Sequence, residues 1–257
     1  MFPIDLSGKK GVVLGVANDR SIAWAVTRAL AKAGARLALT YQNDRLKDRV
    51  ERLAGTLDSA LLLPCDASDD GQIAALFQKL GQDFGEVSFL VHSIAYANRE
   101  DLAGDFYQTS REGFRLALEI SAYSLLPLVK HAIPLMPKGG SIVTMTFNAS
   151  QQVYPGYNVM GTAKAALEQE VRQLAGELGQ RNIRVNAVSP GPLETLAARG
   201  IHGFMDMKRV HAERSPLRRN ITPDEVANTA LFLCSDLSSG ITGTIIPVDA
   251  GYHIMGV

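Results

Sequence analysis

Short apolar runs rich in Val, Ile and Leu alternate along this chain with longer stretches in which apolar positions recur every three or four residues. The runs predict strands at residues 11–14, 37–41, 60–65, 89–92, 141–146, 184–188 and 244–248. The 3.6-residue period predicts helices at 21–33, 44–53, 72–84, 112–136, from about 157 to 179, and at 224–234. Gly34 closes the first of these helices, and Pro64 ends the ladder of the third strand. Strands that are apolar throughout and separated by helices predict a parallel sheet covered on both faces. Residues 191–216 lack a clear period, and a loop of that length inside a compact domain is usually functional. There is no internal repeat and no linker, so residues 1–257 read as a single α/β domain.

Charge adds an exclusion. Lys+Arg and Asp+Glu each number 26, so the chain is formally neutral and offers no electrostatic case for nucleic acid or an anionic membrane. Two cysteines, Cys65 and Cys234, make neither a disulfide framework nor a metal cluster. Both lie in apolar stretches and read as buried thiols in a reducing compartment. No long apolar core marks a signal peptide, and no uninterrupted run approaches the ~18 apolar residues of a membrane span. The expected location is cytoplasmic, with no metal.

The chemistry concentrates at the ends of the predicted strands. Residues 15–23 follow the first strand and open the first helix, where a pyrophosphate would meet backbone N–H groups and the positive dipole end. Gly15 and Ser21 stand there, but Ala17 interrupts the usual glycine pattern, and a plain strand-to-helix turn explains the segment about as well. Gln42 ends the second strand and could bond a ribose hydroxyl; it offers no charge for a 2′-phosphate, although Arg45 and Lys47 are near in sequence. Asp66 and Ala67 follow the third strand and Ser93-Ile94 the fourth, and a loop aspartate is often only a cap. Tyr157 and Lys164 lie seven residues apart, about two helical turns, which would put them on one face roughly 10 Å from each other. Tyr157 follows Pro155-Gly156, a placement that also fits the residue just outside the first turn. A phenol and an ammonium together can serve an oxygen that gains negative charge. An isolated pair would read as ordinary surface residues, so the order of the surrounding motifs decides.

That order is Gly15…Ser21-Ile22, Gln42, Asp66, Ser93-Ile94, Tyr157-x2-Met160-x3-Lys164 and Gly191-Pro192-x2-Thr195-Leu196-Ala197. It resembles the enoyl-acyl-carrier-protein reductases, a divergent branch of the short-chain dehydrogenase/reductases, over essentially the whole chain. The resemblance implies one Rossmann-type domain with a seven-stranded parallel sheet, usually a homotetramer. It implies NADH held by Gly15, Ser21, Ile22, Gln42, Asp66, Ala67, Ile94, Lys164, Leu193, Thr195, Leu196 and Ala197. It implies an enoyl thioester on acyl carrier protein, bound by Ala97, Phe147, Tyr157, Met160, Ile201 and Phe204, with a substrate lid at about 192–212. Tyr157 and Lys164 would be catalytic, Tyr157 opposing the charge on the thioester oxygen and Lys164 holding the nicotinamide ribose. Ordinary ketone reductases of the superfamily have tyrosine four residues before the lysine. Met160 occupies that place here and cannot supply a proton.

Two positions depart from the family pattern. Phe147 stands where many members carry a second tyrosine, and Tyr154 is the nearest spare phenol. The lid has His202, Met205 and Asp206 where relatives often place basic residues for the acidic carrier, and Glu194 likewise replaces an often basic residue. Its apolar residues suit either a mobile cover or a short amphipathic helix packed on the core. Two other readings stay open: a related reductase acting on a different acyl or carbonyl substrate, and a non-catalytic cofactor-binding homologue.

Overall fold

Val12 and Leu14 of β1 (Lys10–Leu14) enter one apolar core while Val13 between them enters another. The strand is therefore apolar on both faces and needs helices on both. The computed structural model describes residues 4–195, 198, 201 and 203–256. Among these residues β2 (Arg36–Tyr41), β3 (Leu61–Pro64), β4 (Phe89–His92), β5 (Gly140–Met145), β6 (Ile183–Pro190) and β7 (Ile245–Val248) join β1 in one seven-stranded sheet of order β3-β2-β1-β4-β5-β6-β7. Every neighbouring pair is parallel. The fold is thus the Rossmann-type sheet that the sequence predicts.

Helices α1 (Ile22–Lys32), α2 (Asp44–Ala54) and α9 (Pro223–Cys234) cover one face, with Trp24, Leu30, Val50, Val226 and Leu233 packed on Val13, Leu39, Phe89 and Val143. Helices α3 (Asp70–Phe84), α6 (Leu125–Ala132) and α7 (Val159–Leu178) cover the other, packed on Val12, Leu90, Ile142 and Val185. Both cysteines are free and buried, and burial pushes each thiol up to about 12. Two short helices, α4 (Arg99–Ala103) and α5 (Arg111–Leu118), lie between β4 and α6, and α8 (Phe204–Arg214) precedes α9.

Three expectations change. The predicted helix at 112–136 is not continuous: a π-helical turn, Glu119–Tyr123, separates α5 from α6, and a 3₁₀ turn, Ile133–Leu135, closes the run. The wider π turn points Ser121 inward, where its hydroxyl accepts from Tyr96 N at 2.9 Å and lies 3.0 Å from Tyr96 O. The same stretch, Arg111–Leu135, is long and apolar enough by length and composition to cross a membrane, which uninterrupted runs alone do not reveal. Its apolar side is spent within the fold, since Ala122, Leu125, Leu128 and Ala132 are buried in the second core. Arg115 pairs on its outer side with Glu112 and Glu119. Finally, α8 occupies part of the segment that shows no period in the sequence.

The central β1–β4 pairing depends on one glycine. Gly11 is in register with Phe89, and a Cβ at Gly11 would lie 2.0 Å from the Phe89 ring. Phe89 is fully buried and cannot swing away. Gly11→Ala is therefore expected to destabilise the fold by about 2–3 kcal/mol through overpacking, read from the midpoint of urea denaturation. A midpoint equal to that of the unsubstituted protein would contradict this packing.

Candidate active site

The strand order reverses direction at β1 and β4, and ligands of open α/β sheets bind outside the strand ends at such a point. Here the two chains nearly touch. Gly15 follows β1 with φ +96°, and a Cβ there would sit 2.0 Å from Ser93 O. Only glycine fits both that conformation and that gap. The start of α1 follows directly after this crossing. Ser21 caps α1: its hydroxyl donates to Asn18 O at 2.7 Å and accepts from Trp24 N. Ile22 and Leu193 pack on the first core and Ile94 on the second, so these three expected cofactor contacts lie on opposite faces of the sheet.

On the β2–β3 side of the crossing Gln42 Nε2 donates to Asp66 Oδ2 at 3.1 Å, joining the ends of β2 and β3. The other Asp66 oxygen holds the Ser68 N–H and hydroxyl, so the aspartate does fix its own turn. Ala67 lies inside that turn, partly buried.

Lys164 lies on the inward side of α7 and is 4% exposed. Its Nζ donates to Met145 O at 2.8 Å, at the end of β5. One turn on, Glu168 accepts from Thr146 Oγ1 at 2.8 Å and from Ser150 Oγ at 2.6 Å. Burial lowers the Lys164 pKa to about 8, partly offset by Glu168. Beneath them His92 is held by Thr144 and Ser124. Ser124 donates to Ile120 O, so it accepts from Nε2–H of His92, and the Thr144 hydroxyl faces Nδ1. Burial first, then the nearby Lys164, push His92 down to about 3, which keeps it neutral.

Tyr157 is not on the helix. Gly156 and Asn158 both have positive φ, 78° and 38°, which cannot propagate a right-handed helix, so α7 begins at Val159. The shared-face geometry expected for Tyr157 and Lys164 is thereby replaced by a turn ahead of the helix. Asn158 anchors that turn by donating to Gly104 O at 2.6 Å and Leu102 O at 3.2 Å. Tyr157 and Ala97 pack against the small buried cluster that contains Met160, and Ser121 Oγ lies 3.6 Å from the Met160 sulfur. Burial raises the Tyr157 pKa above its ordinary value, so the phenol stays protonated.

Phe147 is buried, with its ring 4.9 Å from Tyr157 and 4.7 Å from Tyr154. It walls the site and donates nothing. The Tyr154 hydroxyl accepts from Asn148 Nδ2 at 3.2 Å, and burial pushes Tyr154 up to about 12.

Leu193 and Thr195 follow β6, and Ile201 and Phe204 are partly buried beyond them. Leu196, Ala197 and His202 lie outside the described residues. Lys208 pairs with Glu194, and Arg209 with Glu213 and Asp206, so these two cations of α8 face acids of their own chain.

Sequence reasoning misses Ser121, Asn158 and Glu168. The signal for Glu168 is present, since it lies one turn after Lys164 on the same face; the other two act through turns that leave no period.

The family model described as enoyl-(acyl carrier protein) reductase matches residues 15–253. The chain is 50% identical over 251 residues to the enoyl-acyl-carrier-protein reductase (NADH) FabI of Bacillus subtilis, covering 97% of both proteins. The fold matches the Bacillus cereus enoyl-acyl carrier protein reductase, crystallised with NADP+ and indole naphthyridinone, at TM-score 0.97 and 49% identity over 100% of each chain. It matches the Anaplasma phagocytophilum reductase, crystallised with NAD, at TM-score 0.96 and 44% identity, over 99% of this chain and 97% of that one. With the Gly15–Ser93 crossing, the buried lysine and the phenol ahead of its helix, these matches place the chain in the enoyl-acyl-carrier-protein reductase family.

Proposed function

We propose that this chain reduces the trans-2 double bond of enoyl thioesters with NADH, the thioester carried on acyl carrier protein. The carrying observation is the buried Lys164 ammonium at the end of β5 with Met160, rather than tyrosine, one turn before it. The Gly15–Ser93 crossing and the Gln42–Asp66 pair, both at the strand ends beside the switch point, suit the two ends of an extended dinucleotide. The nicotinamide supplies a hydride to the β-carbon of the substrate. Lys164 holds the ribose hydroxyls. Tyr157 donates a hydrogen bond to the thioester oxygen as it gains charge, and a proton then reaches the α-carbon. Phe147, Met160 and Ala97 exclude water from one side, with Ile201 and Phe204 on the lid side. That lid is assigned to the stretch 192–212, with Leu193 and Thr195 at its cofactor-facing start; Leu196 and Ala197 lie outside the described residues. The assembly is a cytoplasmic homotetramer, and the paired cations of α8 make steering of an acidic carrier weak. The missing hydroxyl at Phe147 favours, as a second reading, a related reductase with a different acyl preference. NADH oxidation followed at 340 nm with crotonyl and longer enoyl thioesters, on coenzyme A and on carrier protein, separates the two readings.

Three outcomes follow from the site. Tyr157→Phe is expected to lower kcat by about 10²–10³ with little change in KM, because the lost hydrogen bond strengthens in the transition state. An unaffected kcat, or robust reduction of 3-ketoacyl thioesters by the unsubstituted enzyme, would contradict that role.

NADH is expected to be preferred over NADPH in kcat/KM. Gln42 is neutral and bonded to Asp66, whose carboxylate repels a 2′-phosphate. Asp66→Asn should narrow the preference, and a preference for NADPH would overturn the assignment.

The Lys164 pKa gives a pH dependence. The folded value is about 8 against an ordinary 10.5, so the folded protein loses this charge first as pH rises. Between those values the unfolded chain binds more protons, and the stability of the free enzyme rises with pH. The dissociation constant for NADH is expected to rise above about pH 8, read by fluorescence titration, and Lys164→Arg should flatten that limb. A constant affinity to pH 9.5 in the unsubstituted enzyme would contradict it.

A further inference from the structure

His211 lies on α8 and is 2% exposed, yet neither of its ring nitrogens has a hydrogen-bond partner among the described residues. A neutral imidazole carries one donor and one acceptor, and burying both unpaired costs free energy that an apolar side chain of the same size would not. What the ring does make are two packed contacts. Its face stacks on Tyr252, with centroids 4.5 Å apart and planes within 20°. Its edge closes on Gly191, where an added Cβ would lie 2.8 Å from both Cε1 and Nε2. Gly191 is held on its other side, since its N–H donates to Val248 O at 2.9 Å. It is also the residue at which the chain leaves β6 toward Leu193 and Thr195.

The stack continues beyond Tyr252. Tyr154 lies 6.5 Å from Tyr252, Phe147 4.7 Å from Tyr154, and Tyr157 4.9 Å from Phe147. One row of rings therefore runs from α8 to the phenol ahead of α7, and its end on α8 bears on the start of the 191–195 segment.

We propose that His211 is a positioning residue, a strut that sets the Gly191–Thr195 segment against α8 and so fixes the affinity for the dinucleotide. This rests on the proposed placing of the nicotinamide against that segment. The strut acts by shape, because neither nitrogen is engaged. Shortening it should loosen cofactor binding, keeping a ring should preserve it, and filling Gly191 should disturb it from the opposite side.

The test is NADH binding to the full chain by fluorescence titration, with kcat at saturating NADH and thermal stability measured on the same samples. His211→Ala is expected to weaken NADH binding about tenfold, with kcat within about threefold of the unsubstituted enzyme. His211→Phe should stay within about threefold in affinity and be no less thermostable. Gly191→Ala should also weaken binding, and adding His211→Ala to it should recover part of the loss, because removing the ring makes room for the new methyl group. The strut is overturned if His211→Ala binds NADH as the unsubstituted enzyme does, or if His211→Phe is as weak as His211→Ala. Simple additivity of the Gly191 and His211 losses also overturns it. Should His211→Ala fail to fold, Gly191→Ala alone decides, since unchanged NADH affinity there removes the contact's role. Gly15→Ala separates this idea from the reading beneath it. If Gly15→Ala binds NADH normally, the placing of the cofactor itself is wrong. If Gly15→Ala abolishes binding while His211→Ala leaves it intact, only the strut fails.

Discussion

A lysine buried at the end of a strand must find a partner for its charge, and much of the site is built around meeting that demand. Lys164 donates to the Met145 carbonyl, which protrudes because β5 ends there. Glu168 lies one turn away and is itself buried, which requires the hydroxyls of Thr146 and Ser150. Those contacts tie residues 146–150 to α7, and Gly161 lets them approach, since a Cβ there would lie 2.8 Å from Ala149 O. Phe147 is held within that loop and so reaches Tyr157. Even the neutrality of His92 follows in part from the same cation. Burying Lys164 and Glu168 one turn apart is costly, and Glu168 also faces Arg172 at 3.8 Å, so these charges are weak evidence for stability. What they fix is a buried positive charge at the end of β5.

The sheet was legible because its strands announce themselves: runs such as Phe89–His92 and Lys10–Leu14 are short, apolar on both faces and bounded by glycine or polar residues. The strand-end residues were legible for the same reason, as the crossover topology brings Gly15, Gln42, Asp66 and Ile94 to one edge. What stayed hidden depends on local backbone geometry without a period. The π turn at Glu119–Tyr123 keeps a helical apolar pattern on both sides, so the run reads as one helix. Tyr157 is flanked by two positive-φ residues, and the one between it and α7, Asn158, is a non-glycine whose conformation is stabilised by hydrogen bonds to a distant loop. Helix α8 has only one buried residue among its described side chains, His211, and an amphipathic pattern cannot reveal it.

The site also shows how a small change of residue type redirects shared chemistry. A scaffold with tyrosine one turn before the lysine sets an acid beside a carbonyl that accepts hydride at its own carbon. Here Met160 fills that place, in the small buried cluster that Ala97 packs against and beside Ser121, and the phenol is displaced into the preceding turn. The phenol is thereby moved off α7, which suits the proposed role at an oxygen conjugated to the hydride-accepting carbon. The electrostatics agree, since burial keeps Tyr157 protonated and able to donate.

The pairing of Gly11 with Phe89 has a consequence for the order in which the molecule assembles. The central strands of the sheet lie far apart in sequence, and the chain between them builds the β2–β3 flank first. Closing such a loop costs entropy before any contact repays it, which makes long-range parallel pairing slow. During synthesis the Gly15–Ser93 crossing cannot exist until β4 has emerged. Until then β1 exposes one unpaired edge, and its cover is incomplete, since α9 on one face and α6 and α7 on the other come later in the chain, a state prone to association with other partly made chains. The crossing is therefore a property of the completed sheet, and a fragment ending before β4 would carry the Gly15–Ser21 motif without the Ser93 backbone that Gly15 meets.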